Sequence, residues 1–182
     1  GQPTQFLDSD RLRAQGEARV PVAQRVYGDG HYLRPSFIQF HTCDRALIEG
    51  VTIRNAPSWV IHPVLCTNLT IRRVGVSSFG PNNDGCDLEC CRTLLLEDCT
   101  FDTGDDCIAI KSGRNADGRR VNKPSERIVI RNSTMRALRA SNRASWARRS
   151  SSSSTSTSTA SASSPADVML TEACTCRRRS AA

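Results

Sequence analysis

Two short stretches near the middle of the chain hold residue types that could do chemistry. PNNDGCD spans 81–87 and DTGDDCIAIKSG spans 102–113. Asp84 and the pair Asp105–Asp106 stand about twenty residues apart, flanked by glycine, cysteine and apolar residues. Three readings of such a pattern are open. Asp, Asn and Gly favour turns, so both stretches could be corners between strands. An oxygen-rich cluster could hold Ca²⁺. Carboxylates brought close in space could instead work as acid and base, because like charges push each other's pKa values apart. Cleavage of a glycosidic bond needs that division, with one acid protonating the leaving oxygen and one carboxylate activating water. A separation of roughly 6.5–9.5 Å would mark an inverting mechanism and a shorter one a retaining mechanism.

The elements that must position these residues show as a repeat. ALIEGVTIRN (46–55), LTIRRVGVSS (69–78), TLLLEDCTFD (93–102) and RIVIRNSTMR (127–136) share apolar–polar alternation of strand type. Ile48, Ile71, Leu96 and Ile130 occupy one position, Val51, Val74, Cys99 and Ser133 a second, and Ile53, Val76, Phe101 and Met135 a third. The intervals are 23, 25 and 34 residues, and the long one contains GRNADGRRVNKPS (113–125), which reads as an inserted polar loop. Such a period of short strands predicts a β-solenoid, in which each coil stacks its inward side chains on the same position of the next. Asp84 lies 13 residues after Ile71, and Asp105 and Asp106 lie 9 and 10 after Leu96. All three then share one side of consecutive coils, about 4.8 Å apart along the stack.

Composition narrows the function classes. The net charge is +7, but residues 137–182 carry seven Arg against Asp167 and Glu172. The other 136 residues hold 18 basic and 16 acidic side chains, so the folded part lacks the basic excess of a nucleic-acid binder. No run approaches the ~18 apolar residues of a membrane span, and no apolar secretory signal is present. Nine cysteines could suggest a disulfide framework, yet no pair-of-pairs spacing of zinc-site type occurs. Cys43, Cys66 and Cys91 stand five residues before successive aligned aliphatics, with Ser125 at the fourth, which predicts a ladder of small core thiols. One disulfide among Cys86, Cys90, Cys99 and Cys107 stays open. Residues 1–36 read as a leader or first irregular coil, 37–136 as the coils carrying the carboxylates, and 137–182 as a low-complexity, disordered Ser/Thr/Arg-rich tail.

The run RPSFIQFHTCDRALIEGVTIRNAPSWVIHPVLCTNLTIRRV, followed by PNNDGCD and GDDCIAIKSG, resembles glycoside hydrolase family 28, the polygalacturonase family. The resemblance covers roughly residues 1–136 and is strongest over 33–136. It implies an all-β fold, a right-handed parallel β-helix, and hydrolysis of α-1,4-galacturonan or a related pectic backbone with inversion. By this resemblance Asp105 matches the general acid, and Asp84 and Asp106 match the carboxylates that position and deprotonate water. Asn82 would organise its loop, and Asn83 stands where many members have Thr. Lys111 could reach an anionic sugar or be a solvated strand lysine, and His31 and His62 read as structural. The resemblance implies no metal or other cofactor, a pectic partner, a monomer, and a secreted or periplasmic location.

The family's Gly-His-Gly and Arg-x-Lys motifs do not follow Arg136. The loss of period from Ala137 leads us to expect a shifted reading frame or misjoined exon there, and a poorly stable, weakly active or inactive product. Two other functions fit the same architecture. A pectate-lyase-like enzyme would need Ca²⁺ and a basic residue to take the proton beside the uronate carboxyl group. A carbohydrate-binding β-helix would bind without turnover.

Overall fold

A computed structural model of the protein describes residues 5–137 and 168–170. Twelve short strands wind into four coils of three. The first coil is β1 (Ile38–His41), β2 (Leu47–Glu49) and β3 (Thr52–Arg54); the second is β4 (Ile61–Val64), β5 (Thr67–Arg72) and β6 (Gly75–Ser78). The third is β7 (Cys86–Glu89), β8 (Arg92–Glu97) and β9 (Thr100–Thr103); the fourth is β10 (Ile108–Lys111), β11 (Glu126–Arg131) and β12 (Thr134–Ala137). Each strand pairs in parallel with its counterparts above and below, giving sheets β1-β4-β7-β10, β2-β5-β8-β11 and β3-β6-β9-β12. The fold is a right-handed parallel β-helix, the hand that parallel crossovers take. β13 (Val168–Leu170) pairs antiparallel with β11. The rest of the segment from residue 138, read from sequence as a disordered tail, lies outside the described residues.

The register is the one the repeat predicts. Ile48 pairs with Ile71, Ile71 with Leu96 and Leu96 with Ile130. Ile53, Val76, Phe101 and Met135 form the parallel row in the third sheet. Inward residues of all three sheets meet in one core, where Ile61, Ile71, Leu88, Leu96 and Phe101 are fully buried. Each such side chain contributes about 1.5–3 kcal/mol by leaving water.

The corners repeat as strictly as the strands. Gly50, Arg73, Asp98 and Asn132 have φ of 66°, 52°, 55° and 50°, and Arg45, Asn68, Thr93 and Arg127 have φ of 58°, 55°, 59° and 57°. Both rows follow the 23-, 25- and 34-residue intervals, so each coil turns through left-handed residues at equivalent points. The sulfur ladder secures another corner. Cys43 N donates to Cys66 Sγ at 3.4 Å, Cys66 N donates to Cys91 Sγ, and Cys91 N donates to Ser125 Oγ at 3.1 Å. The thiols donate in turn to the carbonyl two residues back, Cys66 to Val64 O at 3.2 Å and Cys91 to Glu89 O at 3.5 Å. All seven described cysteines are free thiols, so the open disulfide among Cys86, Cys90, Cys99 and Cys107 does not form. On the outer face, Glu49, Arg72, Glu97 and Arg131 alternate in charge along one row, with Arg72 Nε 2.7 Å from Glu49 and Arg131 Nη2 2.6 Å from Glu97.

Two departures from the sequence reading are helical. The leader contains α1 (Gln5–Glu17), and the insertion read as a polar loop contains α2 (Asn115–Val121). Neither has an apolar stripe of its own. Long-range polar contacts hold them instead. Arg25 Nη1 donates to Asp117 Oδ2 at 2.5 Å and tethers α2 to the leader. Asp8 of α1 accepts from Tyr32 N at 2.8 Å and pairs with His31 Nδ1 at 2.7 Å, which gives His31 the structural place expected of it.

Thr93 is the β-branched residue in its row of left-handed corners, where the second coil has Asn68. A β-branched side chain is an outlier at such φ values, and Asn tolerates them. Thr93→Asn is therefore expected to raise unfolding free energy by about 1 kcal/mol in urea titrations. A variant no more stable than the parent would count against strain at this corner.

Candidate active site

The corner joining the third sheet to the first carries both acidic motifs. Residues 79–85 connect β6 to β7, and residues 104–107 connect β9 to β10. Their glycines let one corner lie directly on the other. A Cβ on Gly104 would sit 2.7 Å from the Phe79 carbonyl, and one on Gly85 would sit 2.6 Å from the Cys107 carbonyl oxygen. Backbone bonds continue the stack, with Gly85 N donating to Asp106 O at 2.8 Å and Val60 N to Asp84 O at 2.8 Å. Asp84 and the pair Asp105–Asp106 thus occupy one corner of consecutive coils. Asp84 is buried, Asp105 half-buried and Asp106 exposed. Thr103 Oγ1 donates to Asp105 O at 2.8 Å, and Asp106 N donates to Asp105 Oδ1 at 3.1 Å.

The two asparagines before Asp84 hold its corner from opposite sides. Asn83 is buried and its Nδ2 donates to Ala56 O at 2.9 Å and Ser58 O at 2.8 Å. Asn82 is exposed and its side-chain oxygen accepts from Arg34 Nη2 at 2.5 Å, while Arg34 Nη1 donates to Pro81 O at 2.7 Å. Lys111, on β10, lies half-buried with its Nζ 3.6 Å from Asp84 Oδ2. It also pairs with Asp87 Oδ1 and sits 3.7 Å from the centre of the Trp59 ring. The reading of Lys111 as a solvated strand lysine therefore gives way to a lysine engaged at the acidic corner.

Asp87 and Trp59 were not singled out from the sequence. Asp87 is wholly buried on β7. In CDLE (86–89), Cys86 and Leu88 point inward, so alternation sends Asp87 and Glu89 to the outer face, where register sets Glu89 beside Lys111. That signal was available, but burial on an outer face was not. Trp59 packs edge-on against His62, with ring centres 4.8 Å apart. His62 Nδ1 lies 3.0 Å from Gln39 Nε2 and its Nε2 lies 3.0 Å from Glu89 Oε2. An amide nitrogen only donates, so the ring proton sits on Nε2 and faces Glu89. A separate cavity of about 390 Å³ lies beneath the two helices, bordered by Leu12, Val64, Leu65, Glu89 and Val121. The three candidate catalytic carboxylates do not line it.

Electrostatics sets Asp84 apart. Burial, then the charge of Asp87, pushes its carboxyl up to about 7; Lys111 opposes the shift, and Asp105 and Asp106 add to it. Asp87 is also raised by burial, against its bond to Lys111. A carboxyl whose pKa is higher folded than unfolded binds its proton more tightly in the native state. Its contribution to stability is full below the unfolded value of about 4 and is lost as pH rises towards 7. Asp84→Asn removes that titration. The stability of the variant relative to the parent should therefore improve between pH 4 and 8, as read by chemical unfolding across that range. A constant difference would show that Asp84 titrates normally.

Known proteins are similar to this chain in sequence and in fold. The family model described as Glycosyl hydrolases family 28 matches residues 15–136. A probable polygalacturonase of Vitis vinifera is 35% identical over 114 residues, 61% of this chain and 23% of that protein. A polygalacturonase of Saccharomyces cerevisiae is 35% identical over 92 residues, 47% of this chain and 26% of that protein. The crystal structure of a hyperthermoactive exopolygalacturonase from Thermotoga maritima superposes with a TM-score of 0.72 at 53% identity, over 75% of this chain and 31% of that one. The chain thus spans about a quarter to a third of the length of these relatives. With the family model matching 122 of its 182 residues, the chain belongs to glycosyl hydrolases family 28.

Proposed function

We propose that this chain carries the catalytic carboxylates of an inverting glycoside hydrolase acting, as a monomer, on α-1,4-galacturonan or a related pectic polysaccharide. One observation carries the reading: Asp84, Asp105 and Asp106 meet at a single corner of adjacent coils, in graded degrees of burial. The similarity to polygalacturonases supports the choice of substrate class.

In this reading Asp105 protonates the glycosidic oxygen as the bond to the anomeric carbon breaks. Asp106, the most exposed of the three, takes the proton of the attacking water. Asp84 orients that water. Its carboxyl holds a proton up to about pH 7, so at acid pH it positions water by hydrogen bonding and leaves proton removal to Asp106. Asn82 keeps the corner in place through Arg34. Lys111 can meet an anionic sugar only by loosening its contacts with Asp84 and Asp87, so its first role is to hold the carboxylates.

Removing a general acid costs about 10²–10⁴-fold in rate. Asp105→Asn should lower kcat on polygalacturonate by that factor with KM little changed, measured by release of reducing ends. The first product seen by proton NMR should carry the β configuration at its new reducing end. Pectin binding without turnover, unaltered in Asp105→Asn, would overturn the enzymatic reading. An α-configured first product would overturn inversion.

A further inference from the structure

The acidic corner holds one carboxyl for which the proposed reaction has no task. Asp87 is 0% exposed, the most buried of the site's carboxyls, and its Oδ1 is taken by Lys111. Its Oδ2 is the buried side-chain oxygen that lacks a donor among the described residues. Asp84, itself a carboxyl, lies within side-chain hydrogen-bonding reach of Asp87. Two ionised carboxylates cannot hydrogen bond, since both only accept. A buried acceptor with no donor carries an uncompensated desolvation cost, larger when it is charged. One proton between the two groups removes both penalties.

We propose that Asp87 is a positioning residue that shares a single proton with Asp84, and that Lys111 decides on which of the two it rests. The ammonium lies in contact with Asp87 Oδ1 and 3.6 Å from Asp84 Oδ2, so it favours charge on Asp87. The proton then belongs to Asp84, whose O–H donates to Asp87 Oδ2. Trp59 fixes the clamp from outside, because the ammonium sits over its ring face. This arrangement holds Asp84 neutral in one orientation, with its second oxygen free to accept from a water. The remaining charges around the pair have defined effects. Asp105 and Asp106, on the next corner, disfavour a second charge at Asp84. His62, on β4, favours charge on Asp87 only in its doubly protonated form, and its Nε2 faces Glu89.

The catalytic meaning of this proposal rests on the hydrolase reading above, but its test does not. Carbon-13 labelling of the aspartate carboxyls in the 182-residue protein allows each to be titrated by NMR without turnover. In the parent, two aspartate resonances should respond together, with a midpoint near 7. Both should lose this behaviour when either Asp84 or Asp87 is replaced by Asn. In Asp87→Asn the Asp84 midpoint should fall by about one to three pH units, because the like charge is gone and the ammonium turns to Asp84. In Lys111→Met it should rise. Absence of any aspartate titrating above about pH 6 in the parent would overturn the proposal without recourse to variants. So would an unchanged Asp84 midpoint in a folded Asp87→Asn protein, the result expected if Asp87 served only the fold. The kinetic arm reads kcat/KM for polygalacturonate against pH. Asp87→Asn should move the limb assigned to Asp84 acidward by the same interval. A parent without turnover counts against the hydrolase reading alone, and the NMR titration still decides the shared proton.

Discussion

The coils and the site they carry depend on one constraint: position n of a coil must lie on the same position of the next. The backbone enforces it, since parallel ladders leave each coil hydrogen bonded to its neighbours along three sheets. Once that is imposed, side chains cannot be chosen coil by coil. Ile48, Ile71, Leu96 and Ile130 are alike because they touch, and so are the left-handed corners at Gly50, Arg73, Asp98 and Asn132. The outer rows obey the rule in the opposite sense. Glu49, Arg72, Glu97 and Arg131 alternate because like charges stacked at strand spacing would repel.

The same constraint gathers the chemistry. Carboxylates on one loop would have to be spaced by that loop alone. Here Asp84 and Asp106 belong to separate coils, and the ladder bond from Gly85 to Asp106 sets their relation. The glycines of the two motifs serve that stacking, since neither corner could approach the other with a side chain at Gly85 or Gly104. Asp84 pays for its position with desolvation, and the proximity of Asp87, Asp105 and Asp106 adds to the effect. Rigidity and an unusual protonation state have one origin.

Much of this was legible because periodicity is carried by residue type. The aligned aliphatics gave the register, and the register put the three acids on one side. The cysteines were legible only in part. Spacing marked them as a ladder, but their exchange of hydrogen bonds with backbone N–H groups depends on corner geometry, and Ser125 in the fourth place was the one hint of it. The helices were not legible. α1 and α2 are fixed by contacts such as Arg25–Asp117, between residues far apart in the chain, and no local pattern announces them. Asp87 escaped for a related reason. An acid on the outer face of a strand reads as solvated unless one knows that Trp59 and Lys111 close over it.

The 34-residue interval of the last coil shows what this architecture permits. The helix α2 and its flanks enter between β10 and β11, yet both strands keep their partners on the third coil. Lengthening a closed loop from 25 to 34 residues costs only ~0.3 kcal/mol of chain entropy. A coil can therefore lengthen at its corner while its neighbours hold the ladder in place. The architecture thereby has a nearly free variable: a surface segment at the corner between the first and second sheets can be lengthened, shortened or replaced while the carboxylates, on another corner, stay where the stack put them.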